Sequence, residues 1–190
     1  MTKTTSLTSL ANRHRRTAAP RQLIENRTVY ASHNAELSIY DTYEAAERVR
    51  LDAGEVLYCG MMTGRKVMHG RNGYSRGFLP HESFVIAPGE YVEIDFPDAN
   101  ETAPTTCLTI EISKDRIERL SERMRDLIVL DAPNHEWEYQ PKIIHKHHTG
   151  DTQYLLEKMV SLYTRNDPDK EIMLDLSVTE LVIRLLREQG

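Results

Sequence analysis

Long apolar runs are missing from this sequence. No stretch approaches the roughly 18 residues that a membrane-spanning helix needs, so such a helix is excluded. The N-terminus also lacks the apolar core of a secretion signal. Cysteine is scarce: there are 2, Cys59 and Cys107, without C-x-x-C spacing. That excludes a disulfide scaffold and predicts a reduced, cytoplasmic protein with two ordinary buried thiols. Phosphate-cradling glycine loops are absent too. Gly60, Gly64, Gly70, Gly73 and Gly77 match neither G-x-G-x-x-G nor G-x-x-x-x-G-K-[ST], and no nucleophile elbow is present. An excess of basic residues is lacking as well. With 24 Lys+Arg against 29 Asp+Glu the net charge is -5, which argues against the whole chain being a nucleic-acid binder.

What is present fits one domain with appendages. The chain has 190 residues, 39% hydrophobic and 28% charged, enough for a packed core in a water-soluble fold. The average charge hides a split. Residues 1–21 carry Lys3, Arg13, Arg15, Arg16 and Arg21 and no acid, leaving 19 basic and 29 acidic residues, net -10, in the rest. The segment is rich in Ser and Thr and shows little apolar periodicity, so it is read as a flexible basic arm. Such an arm either stays solvated, folds over a ligand or touches DNA phosphate.

From Leu23 to Ile112 the pattern has a period of two. Val92, Ile94 and Phe96 alternate with Tyr91, Glu93 and Asp95; Leu108, Ile110 and Ile112 alternate with Cys107, Thr109 and Glu111. Similar segments are Leu23–Tyr30, Glu36–Tyr43, Glu47–Leu51, Glu55–Met62, Arg65–His69, Tyr74–Phe78 and Ser83–Ala87. The breaks carry turn chemistry: Ala53-Gly54, Thr63-Gly64, Asn72-Gly73 and Pro88-Gly89. Many short, closely spaced strands predict a sandwich or barrel over residues 22–112.

After Ser113 the period lengthens. Ile117, Leu120, Met124, Leu127 and Ile128 predict a helix, which Ala132-Pro133-Asn134 would end. A short strand is expected near Lys142–His145. Two helices follow within residues 151–190, the first capped by Asp151 or Thr152, the second starting at Asp167-Pro168-Asp169. The second helix is apolar around much of its circumference. One sheet covers one side only, so the surplus is buried by the neighbouring helix or by another subunit. Ile172, Leu176, Val182, Ile183 and Leu186 are the candidates for such an interface. Strands first and helices second is the α+β class, a β-barrel followed by a C-terminal helical pair within residues 113–190.

Small barrels hold one small ligand. The candidate contacts are Tyr58, Met62, His69, Phe84 and Tyr91, with Met61, Val67 and Ile86 as further inward residues. His145, His147 and His148 invite a metal reading, since alternate residues of a strand share a face. A third ligand would have to come from His69, His81 or Glu82, and no H-E-x-x-H or H-x-x-x-H supports it. The histidines are therefore read as exposed or hydrogen-bonded, with no metal, cofactor or catalytic residue assigned. His81-Glu82 is read as a solvated turn.

Several phrases are familiar as a set. Lys66-Val67-Met68-His69-Gly70, the run Phe78–Glu90, Ile94-Asp95-Phe96-Pro97-Asp98-Ala99 and the closing run Asp175–Arg187 resemble the N-terminal domain of AraC/XylS-type bacterial transcription regulators. The resemblance extends from about Leu37 to the C-terminus. It implies a cupin-like barrel followed by a helical pair, a regulatory domain that senses a small-molecule effector in the barrel, and a homodimer formed through the helices. It also implies DNA binding through a C-terminal helix-turn-helix domain that is absent from this chain, so a truncated chain is expected. The cupin metal motif, His-x-His followed by Glu, is not matched by His69 and His81. That counts against the alternative, a stand-alone metal-dependent cupin enzyme.

Overall fold

The computed structural model describes residues 6–127 and 139–189. Within them the chain runs as α1 (Leu7–Arg15), β1 (Asn26–Ala31), β2 (Glu36–Thr42), β3 (Ala46–Asp52), β4 (Val56–Thr63), β5 (Lys66–His69), β6 (Ser75–Phe78), β7 (Glu82–Ile86), β8 (Tyr91–Phe96), β9 (Thr105–Ile112), α2 (Lys114–Leu127), β10 (Ile144–His147), α3 (Gly150–Thr164) and α4 (Lys170–Gln189). The Ala132-Pro133-Asn134 break and the first five residues lie outside the described residues.

The strands form two antiparallel sheets. Six strands take the order β1-β2-β9-β4-β7-β10 and four take β3-β8-β5-β6. The fold is α+β, as the order of periodicities predicts. Every strand expected between Leu23 and Ile112 is present, and the short one near Lys142–His145 is β10. The Asn72-Gly73 turn joins β5 to β6 through a single 3-10 turn, with Gly73 at φ 76°. Gly64 turns β4 into β5 at φ 82°, where a Cβ would lie 2.6 Å from Thr105 Oγ1.

Two apolar layers flank the six-stranded sheet. Its inner face meets the four-stranded sheet through Leu57, Cys59, Met61, Phe84, Ile86 and Cys107, packed with Met68, Phe78, Ile94 and Phe96. Its outer face meets the helices: Leu37, Ile39, Tyr58, Met62, Leu108 and Ile110 pack with Leu155, Leu156, Met159, Leu181, Val182 and Leu185. Gly60 makes room on that face, since a Cβ there would lie 3.3 Å from Leu108 and Leu156. No helix of the described residues is long and apolar enough to cross a membrane.

The helices differ in detail from the sequence reading. Residues 1–21 were expected as a flexible arm, yet Leu7–Arg15 is helical, capped by the Ser6 side chain. Its apolar residues are few but at helical spacing: Leu7, Leu10 and Ala11 are buried against β4 and α3. α3 is capped by Thr149, which accepts from the Thr152 amide, rather than by Asp151 or Thr152. α4 begins at Lys170, just after the Asp167-Pro168-Asp169 signal that was expected to start it; those residues form a turn in which the Asp167 carbonyl accepts from Lys170 N–H.

One charged group sits inside the barrel. Lys66 is 2% exposed, with Nζ 3.2 Å from Glu25 Oε1, 2.9 Å from Cys107 Sγ and 4.9 Å from the centre of the Phe96 ring. Burial alone opposes its charge, but the adjacent sulfur and carboxylate outweigh that and raise its pKa above the ordinary lysine value. Removing one partner costs most when the charge left behind is the more deeply buried one, and the side chain of Lys66 is 3% exposed against 15% for Glu25. Glu25→Ala is therefore expected to lower unfolding stability by about 3 kcal/mol, and Lys66→Met by clearly less. Urea unfolding checks the order, and a smaller loss in Glu25→Ala contradicts it.

Candidate functional site

Both sheets end in short edge strands, β6 and β10, and the two edges face each other. Directly opposed residues of an antiparallel pair share a face. His145 pairs with Phe84, so it points between the sheets. Arg76 pairs with Met68, so it does the same from the other edge. Tyr74 closes the seam, its hydroxyl 3.2 Å from His145 Nδ1. Arg71, Tyr74, Arg76, Glu90, Ile143 and His145 line a pocket of about 470 Å³ there. Phe78 and Phe84 form its aromatic backing, with ring centres 5.9 and 5.6 Å from the His145 ring.

The polar groups are arranged with care for their protons. His145 Nε2 lies 2.9 Å from Glu82 Oε2, and both side chains are buried. The pair is satisfied when Nε2 donates to Glu82 and Nδ1 accepts from the Tyr74 hydroxyl. Burial works against the charge of Glu82, but hydrogen bonds from His145 and from the Leu79 amide outweigh it and hold the carboxyl below its ordinary pKa. His147 adds a contact at 3.5 Å from the exposed side. Burial raises the Tyr74 hydroxyl, against the nearby Arg76 guanidinium. Arg71 is shared with Glu90 at 3.4 Å and lies over the Tyr91 ring.

A second chain of hydrogen bonds runs on the helix side. The Tyr58 hydroxyl bonds Ser83 Oγ, which lies 2.6 Å from His148 Nε2. His148 Nδ1 donates to Gln153 Oε1 on α3 at 2.6 Å. Burial lowers the His148 pKa below its ordinary value and so favours the neutral ring, in which Nδ1 donates to Gln153 and Nε2 accepts from Ser83.

The sequence-based ligand candidates do not converge. Phe84 alone faces the space between the sheets. Tyr58 and Met62 face the helices, because side chains alternate and it is Leu57, Cys59 and Met61 that point inward. His69 and Tyr91 lie on the outer face of the four-stranded sheet. His69 Nε2 is 2.7 Å from Asp95, and Arg50 lies 3.9 Å above the Tyr91 ring. The His81-Glu82 turn is solvated at His81 only; Glu82 is 7% exposed and belongs to the seam. His145 and His147 do share a face, as their spacing requires, and it is turned to Glu82. Among the described residues no group of three or more His, Cys, Asp or Glu is arranged to hold a metal ion. Sequence reasoning missed Arg71, Tyr74, Arg76 and Ile143. The alternation Tyr74-x-Arg76 on an edge strand was the available signal.

The interface candidates divide in the same way. Ile172 and Leu176 are 67% and 57% exposed, and Ile183 is half-buried. Val182 and Leu186 are buried within the chain against α3 and the sheet, so they are core rather than surface.

Residues 34–190 match the sequence model of the AraC-type transcriptional regulator N-terminus. The chain belongs to this family. Solved structures of ToxT from Vibrio cholerae share the fold of this AraC-type domain. The apo K231A form from strain SCE256 superposes at TM-score 0.56 with 11% identity, over 83% of this chain and 57% of that one. ToxT of strain O395 bound to (E)-4-(8-methylnaphthalen-1-yl)but-3-enoic acid gives TM-score 0.56 and 11% identity, over 82% and 57%. A P21 form gives 0.53 and 13%, over 77% and 53%. The AraC-type domain thus spans little more than half the length of ToxT. Among curated proteins none matches the sequence significantly.

The neutral His148 generates a pH prediction. Its folded pKa lies below the ordinary value of 6.5, so the unfolded state binds the proton first as pH falls. Its contribution to stability is complete above pH 6.5 and is lost progressively as pH drops below that value. His148→Asn is expected to flatten the fall of unfolding free energy as pH drops below 6.5. Denaturant titrations at several pH values check it; an unchanged slope contradicts it.

Proposed function

We propose that this domain is the effector-sensing and dimerising part of an AraC-type regulator, which binds DNA through a further, C-terminal domain and works in the cytoplasm. The observation that carries the reading is the seam pocket between β6 and β10. It is concave, of metabolite size, backed by aromatic rings and edged by a few converging polar groups, the usual make-up of a small-molecule site. The ToxT structure with a bound organic acid supports a small-molecule effector for a domain of this fold. The effector contacts proposed here are therefore His145, Tyr74 and Arg76, with Phe84 behind them. Tyr58 and Met62 act on the helix side as packing. The function is a shift of population between arrangements, which needs binding and no bond chemistry.

Dimerisation is assigned to the exposed stripe of α4. Ile172, Leu176 and Ile183 recur at four and seven residues and so lie along one helix face. A stripe of this kind suits a self-complementary two-fold interface. The stripe excludes Val182 and Leu186.

Two outcomes follow. A ligand from a metabolite screen at 100 times its Kd adds about 2.7 kcal/mol, a rise in Tm of roughly 5 °C or more. No stabilising ligand across the screen counts against sensing. Sedimentation at micromolar concentration should show a dimer that Leu176→Glu converts to monomer. A monomeric parent removes the dimerisation part.

A further inference from the structure

The seam pocket has a definite ligand chemistry and a definite route out of it. Among the described residues no carboxylate pairs with the exposed Arg76, whose guanidinium acts on the Tyr74 hydroxyl and opposes the rise that burial causes in its pKa. Arg71 is paired with Glu90, the one acid in the wall. Arg76 and Arg71 thus present donors and positive charge at the rim, whereas Ile143 and the Tyr74 ring present apolar surface beside them, with the buried Phe84 ring packed behind Tyr74. A guanidinium without an acidic partner, in the same pocket wall as the Tyr74 ring and Ile143, suits an anion with a planar apolar body.

β10 then connects that wall to the helices. Its side chains alternate: His145 and His147 face the seam, Ile144 and Lys146 face the helical layer. Lys146 Nζ donates to the carbonyl of Glu188 in the last turn of α4. One residue beyond the strand, His148 bonds Ser83 and Gln153, and Thr149 caps α3. A displacement of His145 is therefore carried by the neighbouring residue to the C-terminal end of α4.

We infer that the seam pocket binds a small carboxylate with a planar apolar body, the carboxylate on Arg76 and the apolar body against the Tyr74 ring, and that β10 passes its occupancy through Lys146 to the C-terminal turn of α4. This rests on the sensing role proposed above and names its ligand class and its route.

Calorimetry on the intact chain with 2-naphthoate, 2-naphthamide and inorganic phosphate tests the chemistry. Naphthoate is expected to bind, with the amide and phosphate at least tenfold weaker. Arg76→Gln, at an exposed position, should weaken naphthoate about tenfold or more. The Tm of the free variant, unchanged, shows that it folds. Hydrogen exchange tests the route. Naphthoate should alter amide protection in residues 183–189 of the parent chain. Lys146→Met should bind naphthoate within about twofold of the parent and lose that change. Equal binding of acid and amide, no acid binding at millimolar concentration, or full affinity in Arg76→Gln overturns the ligand class. Persistence of the α4 change in Lys146→Met overturns the route. A neutral metabolite that binds Arg76→Gln normally leaves sensing intact and defeats this inference alone.

Discussion

Leu57, Cys59 and Met61 of β4 meet the four-stranded sheet, while Tyr58 and Met62 between and beyond them meet the helices. β9 is enclosed in the same way, with Cys107 on one side and Leu108, Ile110 and Ile112 on the other. Burial of the six-stranded sheet on both faces is the constraint that the other elements serve. α1, α3 and α4 exist in this protein as cover for one face, and the four-stranded sheet as cover for the other. Each fully buried Leu, Ile or Phe in these layers contributes about 1.5–3 kcal/mol. A two-face burden also explains why the N-terminal segment folds. Leu7, Leu10 and Ala11 close the end of the outer layer that α3 and α4 leave open.

The same constraint decides what was legible in the sequence. Strand positions were readable from period and turn residues, since Asn72-Gly73, Gly64 and Pro88-Gly89 punctuate the chain at the hairpins themselves. The phase of β4 was not. All but the last of its residues are buried, so polarity does not tell inward from outward, and Tyr58 and Met62 were placed in the barrel when they belong to the helix layer. α4 misled for the same reason. Its apolar surround is needed because α3 and the sheet bury Val182 and Leu186, which leaves Ile172, Leu176 and part of Ile183 outward among the five interface candidates. The seam itself was hidden because its residues come from Arg71–Arg76, Glu90 and Ile143–His145, and only the register of two edge strands joins them. β10 was recognisable as a strand, but not as the partner of β7.

Several buried polar groups obey a common rule: they are placed where one layer would otherwise slide on another, and their partners lie across that boundary. Lys66 and Glu25 tie the barrel interior to the segment before β1. His14 and Asp41, 3.1 Å apart and both buried, tie α1 to β2. Tyr58, Ser83, His148 and Gln153 tie β4 and β7 to α3. Apolar surfaces of similar shape tolerate shifts of register, whereas a buried hydrogen bond left without its partner costs about 1–3 kcal/mol. These links therefore fix how the layers sit, and the apolar contacts supply most of the energy.

An edge strand is the place in such a fold where a small movement is least costly. β10 is paired on one side only, with β7, over four residues. Shifting a central strand such as β9 would disturb two ladders and both apolar layers. Shifting β10 disturbs one short ladder, yet its alternate residues still touch the seam pocket and the end of α4. Sensitivity at the pocket and rigidity in the sheet then do not compete, because they reside in different strands. The interior between the sheets is filled by Met61, Phe78, Phe84 and Phe96, each at most 1% exposed. A ligand that had to enter there would have to displace core. One that sits at the open edge has only to move the strand that already connects to the helices.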